Sequence, residues 1–193
     1  MKKVILSVLA VFAFGFANAQ LREKGEIEIV PQIGVISANY YGGESGDGNS
    51  AITSASFGVG ANYFFNDRWS LLSGLIYQPM GTEFSGFKDE LKYVTIPVNA
   101  SWHFGSTRKW NLNFGPSIGF LTSAKTSDGD DFKDEMNSTQ IGLNVGIGYK
   151  IEISDNFSLL IDYQSLTGLT DAAKDFSFKN TAGTFNLGAV IKL

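Results

Sequence analysis

The chain holds one histidine, His103, two residues after Ser101. An imidazole beside a hydroxyl can begin a nucleophilic site, because the ring can take the serine proton as the oxygen attacks. Such a site also needs a group that orients the ring, and no triad assembles around this pair. The plainer account makes His103 a polar or interfacial residue at the rim of the fold. No catalytic residue and no cofactor is assigned, and the protein is expected not to be an enzyme. A second candidate is the acidic stretch Thr126-Ser127-Asp128-Gly129-Asp130-Asp131-Phe132-Lys133-Asp134-Glu135. Its carboxylates are the oxygen ligands calcium prefers. It lacks the spacing and terminal glutamate of an EF-hand loop, so a solvated loop is the simpler account and no metal ligand is assigned. The glycosylation-like triplets Asn99-Ala100-Ser101 and Asn137-Ser138-Thr139 are read as chance. The remaining candidates are charges: Glu26, Glu28, Lys150, Glu152 and Lys192. They lie within otherwise alternating segments, where a buried charge needs a partner.

The elements that position these residues are strands. In Ile141-Gly142-Leu143-Asn144-Val145-Gly146-Ile147-Gly148-Tyr149 every second residue is apolar, the mark of a strand with two unlike faces. Similar segments predict eight strands at 26–37, 53–65, 69–84, 91–104, 110–122, 139–153, 157–167 and 181–193, and no amphipathic helix. Short turns at 66–68, 105–109 and 154–156 alternate with longer polar connections at 38–52, 85–90, 123–137 and 168–180. All short turns therefore fall at one end, as in an up-and-down barrel that crosses an outer membrane. A Greek-key sandwich would not sort its loops this way.

Strand alternation is the same whether the apolar face meets lipid or a protein core. Three features favour lipid. The less apolar face is built of Gly, Ser and Asn, which suit the interior of a narrow barrel. Trp69, Trp102, Phe104, Trp110 and Phe157, with Phe64 and Phe65, flank the short turns, where an interfacial aromatic girdle sits. The chain ends on a strand whose Asn186, Gly188, Ile191 and Leu193 resemble the C-terminal assembly signal of outer-membrane barrels. Strands in hydrocarbon must pair every backbone group, so the sheet should close on itself. The first and last strands then meet and bring Lys192 near Glu26 or Glu28. Together with Lys150 and Glu152 these charges are expected to form an internal ion-pair network at the short-turn end. The inverted alternative is a soluble lipocalin-like carrier with an apolar interior.

The N-terminus begins with Lys2 and Lys3, continues as an apolar run from Val4 to Phe16, and ends on Ala17-Asn18-Ala19. This predicts a secretory signal peptide over 1–19, cut between Ala19 and Gln20, and a single barrel domain over 20–193. The absence of cysteine closes disulfides, thiolate metal sites and lipid attachment. Charged residues make up 18% of the chain, and the net charge of −4 gives no reason to expect nucleic acid.

Several motifs resemble one family. Leu91-Lys92-Tyr93-Val94-Thr95-Ile96-Pro97-Val98 is similar to an L-x-Y-L-x-I-P-L signature. Gly74-Leu75-Ile76-Tyr77 with Gly81, Gly115-Pro116-Ser117-Ile118-Gly119-Phe120-Leu121, and Tyr163 with Gly168-Leu169-Thr170 resemble its further strands. The family is the Bacteroidetes outer-membrane β-barrel group, the porin-family or PorT-like barrel domain. The resemblance implies an eight-stranded antiparallel transmembrane β-barrel, inserted by the barrel-assembly machinery into a Gram-negative outer membrane. The expected role is structural or surface-interacting, with the lipid and a surface ligand on the external loops as partners, in a monomer. A narrow porin or an accessory barrel for transport or secretion is the competing class.

Overall fold

The computed structural model describes residues 22–43 and 48–193. The expected signal peptide and its Ala17, Ala19 and Gln20 lie outside these residues. Eight strands run in chain order: β1 (Ile27–Tyr41), β2 (Ser50–Phe64), β3 (Trp69–Phe84), β4 (Phe87–Phe104), β5 (Trp110–Thr126), β6 (Thr139–Ser154), β7 (Phe157–Gly168) and β8 (Lys179–Lys192). Each pairs antiparallel with its neighbours in sequence, and β8 pairs with β1, which closes the barrel.

The stagger of the barrel can be followed residue by residue. Paired positions run from Ile27 through Tyr63, Leu71, Ala100, Phe114, Val145, Ser165 and Gly183 and return to β1 at Ser37, ten residues beyond the start. For eight strands about 4.8 Å apart, this shear tilts the strands by roughly 40°. A barrel this narrow is filled by its own side chains.

The strands extend further than their alternation suggests at the long-loop end. There β1 continues to Tyr41, β2 starts at Ser50, β4 at Phe87, and β5 ends at Thr126. The expected long connection at 85–90 is instead a two-residue turn. Phe84 pairs with Phe87, and Ser85 and Gly86 both take positive φ, at 50° and 86°. Two successive left-handed residues suit the twist of a tight hairpin. The charged run Lys88-Asp89-Glu90 hid this hairpin because a strand standing clear of lipid needs no apolar outer face.

The outward residues explain where lipid ends. Facing away from the lumen, the apolar run on each strand stops at Val35, Phe57, Tyr77, Val94, Phe120, Ile141, Tyr163 and Phe185. On β5 the distance from Trp110 to Phe120, at the rise and tilt above, is about 25 Å along the barrel axis, the height of a lipid-facing band. Beyond this ring the outward residues turn polar: Ser37, Thr53, Lys92, Thr122, Thr139, Thr167 and Thr181. The inward residues turn apolar at the same level, as Ile36, Ala38, Tyr40, Met80, Leu91, Tyr93, Leu121, Ala124, Leu166 and Ala182 form one buried cluster. The polarity of the wall inverts there. Below the ring the barrel is built for lipid, and above it the same strands enclose the apolar core of a water-facing head. Tyr40 lies inside this core against Phe178, with ring centroids 4.4 Å apart.

Candidate functional site

The lumen is filled in layers, starting with charge at the short-turn end. Glu28 on β1 points inward and accepts from Arg22 Nε at 3.0 Å and from Lys150 Nζ of β6. All three charged groups are almost fully enclosed. Phe64 on β2 is completely buried beneath them, its ring centre 5.1 Å from the Arg22 guanidinium and 5.4 Å from Lys150 Nζ. Its expected place in the outer girdle is therefore corrected. The inward side of β2 at this turn holds Phe64, and the outward side holds Tyr63 and Phe65. Lys192 Nζ lies 2.6 Å from Glu26, and Lys109 from the β4–β5 turn pairs with Glu152 at 3.1 Å. The charges singled out by sequence thus sit at one end of the barrel, Glu28 and Lys150 in one cluster and Glu26–Lys192 and Glu152 in separate pairs. Arg22 and Lys109 complete them, although neither lies in an alternating segment that would have marked it.

His103 belongs to this layer and is buried, which moves it from the rim into the lumen. Its Nε2 is 2.9 Å from Ser70 Oγ and 3.4 Å from Ser101 Oγ, and its ring lies against Phe64. Nδ1 has no hydrogen-bond partner, so no carboxylate orients the ring. The arrangement is a packed polar contact.

Outside this layer the aromatic side chains touch one another around the wall. Trp69 stacks on Trp102 across β3 and β4, Trp102 on Phe104, and Phe104 on Trp110, which contacts Tyr149 of β6. Phe157 faces outward on β7. Tyr63, Phe65 and Tyr149 extend the belt beyond the residues sequence had named. At the C-terminus Asn186 and Gly188 face the lumen, and Ile191 and Leu193 face outward.

Above the charges Val30, Leu160 and Val190 form a small apolar layer. Next comes a cavity of about 60 Å³ in the lumen, whose lining mixes Leu72, Ile76 and Pro97 with polar groups such as Gln32, Asn144 and Asp162. The apolar core of the head closes the lumen above this cavity. Loop residues complete the closure: Met136 bridges to Ala173, and Asn137 Nδ2 donates to the carbonyls of Asp171 and Ala173. The acidic stretch 126–135 folds with Phe132 packed against the core. Among the described residues its carboxylates form no cluster able to hold a metal ion. On the outside of the head an open cleft of about 510 Å³ is lined by Asn137, Ser138, Thr139, Leu169, Thr170, Asp171 and Lys179.

Residues 12–174 match the family described as outer membrane protein beta-barrel domain. The chain belongs to that family. This outer-membrane barrel is similar in fold to Ail, the attachment invasion locus protein of Yersinia pestis, at 21% identity and a TM-score of 0.53, over 88% of this chain and 99% of that one. It is also similar to Neisserial surface protein A at 17% identity and a TM-score of 0.56, over 86% and 97% of the two chains. A third likeness is to outer membrane protein AlkL in lipid bilayers, at 12% identity and a TM-score of 0.55, over 92% and 94%. At these identities the likeness is one of fold. No curated protein matches the chain in sequence. The outer-membrane barrel's lipid band, aromatic belts and closed sheet are the features that place it in the outer membrane.

Proposed function

We propose that this outer-membrane barrel works as a surface-interaction protein, presenting its head outside the cell without conducting solute and without catalysis. The observation that carries this reading is the inversion of wall polarity at the outer ring. It turns eight strand ends into a folded platform in water, where a bare pore would need only loops. The motifs around Leu91–Val98 and Gly115–Leu121 support a place in the PorT-like, porin-family branch of Bacteroidetes barrels. The chain acts as a monomer, delivered by its signal peptide and inserted by the barrel-assembly machinery.

Ail is named for attachment, and we carry that role over as a surface ligand on the head. The open cleft beside Asn137 and Thr170 offers amide and hydroxyl groups with the Lys179–Asp171 pair, which suits a hydrophilic ligand. The test has two parts. Surface proteolysis of intact cells should cut the head, and protein reconstituted in planar bilayers should give no steady unitary current. A reproducible current would establish the narrow porin in its place.

A further inference from the structure

The open cleft on the head begins where the outer wall meets lipid. Its Thr139 pairs with Phe120, the last lipid-facing residue of β5. Its Leu169 and Thr170 are tied to Ile141, the last lipid-facing residue of β6. The Ile141 N–H donates to Thr170 Oγ1 at 3.0 Å, and its carbonyl accepts from the Leu169 N–H at 2.7 Å. Leu169 is 55% exposed and carries the apolar wall into the cleft. Below the cleft the lipid-facing wall is interrupted. Ser165 and Thr167 face outward on β7, where they pair with Val145 and Leu143 of the lipid band. The Tyr163 hydroxyl lies against Gly183 beside them. Hydroxyls at this depth favour a neighbour with polar groups of its own.

The polar groups of the cleft are mixed in kind. Asn137 donates both amide hydrogens, to the carbonyls of Asp171 and Ala173 at 2.9 and 2.8 Å, which leaves its Oδ1 as an acceptor. Ser138 and Thr139 are exposed hydroxyls. Lys179 Nζ lies 3.5 Å from Asp171 Oδ1, and both side chains are partly open to solvent. One cation offset by one carboxylate gives no net attraction for a bare phosphate. Donors and acceptors side by side, next to an exposed leucine, match the hydroxyls and C–H faces of a sugar. The volume of about 510 Å³ lies within the roughly 300–1,000 Å³ of small-molecule sites.

We propose that this cleft holds the sugar headgroup of a glycolipid of the outer leaflet, whose chains lie along β6 and β7. The inference rests on the reading of the cleft as the ligand site of the head, and it names the ligand. The ligand is lipid-borne because Leu169 and the strip of Ser165 and Thr167 join the cleft to the lipid band, a continuity that a free glycan would not use.

The test uses the mature barrel in phosphatidylcholine nanodiscs doped with lipopolysaccharide, with native mass spectrometry counting the lipids that stay bound. Wild type should retain one lipopolysaccharide. Ser138→Trp, which fills the cleft from an exposed position, should abolish retention. Asp171→Ala should weaken it about tenfold, as the loss of a hydrogen bond to a charged group does. Thr53→Trp, outward on β2 beyond the ring, should leave it unchanged. The lipid-free oligosaccharide should bind far more weakly than the intact glycolipid. Retention no greater for lipopolysaccharide than for phosphatidylcholine overturns the inference, and so does retention that Ser138→Trp leaves intact. If the oligosaccharide alone binds and Ser138→Trp removes it, the glycolipid assignment falls while the ligand site on the head stands. If neither form binds, both fall.

Discussion

Val35 and Ile36 are consecutive apolar residues on β1 that face opposite media. Val35 is 57% exposed on the lipid side, and Ile36 is fully buried as the first layer of the head core. The pair marks the level at which the wall reverses. A strand whose apolar residues point outward below that level and inward above it must register two apolar neighbours at the switch.

The reversal makes the inner face of the head as demanding as a soluble core. Leu91 is buried there, and its neighbour Lys92 faces water. Leu91→Ala should destabilise by about 2–5 kcal/mol, the range for truncating a buried leucine. Lys92→Ala should stay within about 0.5 kcal/mol. Urea unfolding in micelles, followed by the gel shift between folded and unfolded barrel, measures both. Equal effects would mean the head has no packed interior.

Depth along the outer face should control tolerance to charge. Val145 lies in the lipid band on β6, and Thr139 lies on the same face above the ring. Val145→Arg should cost about 2–4 kcal/mol and Thr139→Arg about 0–1, as expected for the midplane and beyond the interface. Insertion yield into lipid vesicles would show the difference.

The charged layer should behave as a unit. Lys150→Met leaves Glu28 with Arg22 alone and should destabilise by roughly 3 kcal/mol, at the low end for a broken buried pair. Replacing the set together, Arg22→Met with Glu28→Leu and Lys150→Met, should recover most of that loss, because a packed apolar group needs no partner. Urea midpoints of the single and combined variants check this. A combined variant as unstable as the sum of single changes would contradict it.

Gly60 and Gly74 pair across β2 and β3 but differ in the space around them. A methyl on Gly74 would sit 2.3 Å from the Val59 carbonyl oxygen, and one on Gly60 would find nothing closer than 3.5 Å. Gly74→Ala should cost about 1–3 kcal/mol as an overpacked site, and Gly60→Ala should be tolerated. Refolding yield of the two variants separates them.

Much of this was legible in the residues. All eight strands follow from alternation, and closure follows from the need to pair every backbone group in lipid. The Trp69, Trp102 and Trp110 belt follows from their position beside short turns. The head was not legible, because period-two alternation carries no sign. Ile36, Tyr40, Leu91 and Tyr93 look the same in sequence whether they face lipid or a core, and only the register that places them above Val35 and Val94 tells which. The soluble lipocalin-like alternative gives way to the outer-membrane barrel, whose apolar residues up to Val35 face outward. Arg22 was missed because its place in the ion cluster depends on a chain segment outside the strands, where alternation gives no register. The Ser85–Gly86 turn was missed because Lys88, Asp89 and Glu90 read as loop.

The absence of cysteine allows the central claim to be tested one residue at a time. Single cysteines placed on the outward face at Thr122, Phe120, Ile118 and Phe114 of β5, and at Thr139, Ile141 and Leu143 of β6, can be reacted with a membrane-impermeant maleimide in reconstituted vesicles. The account predicts fast labelling at 122 and 139, slow labelling at 120 and 141, and none at 114, 118 and 143. Labelling at 118 or 143 as fast as at 122 or 139 would contradict it.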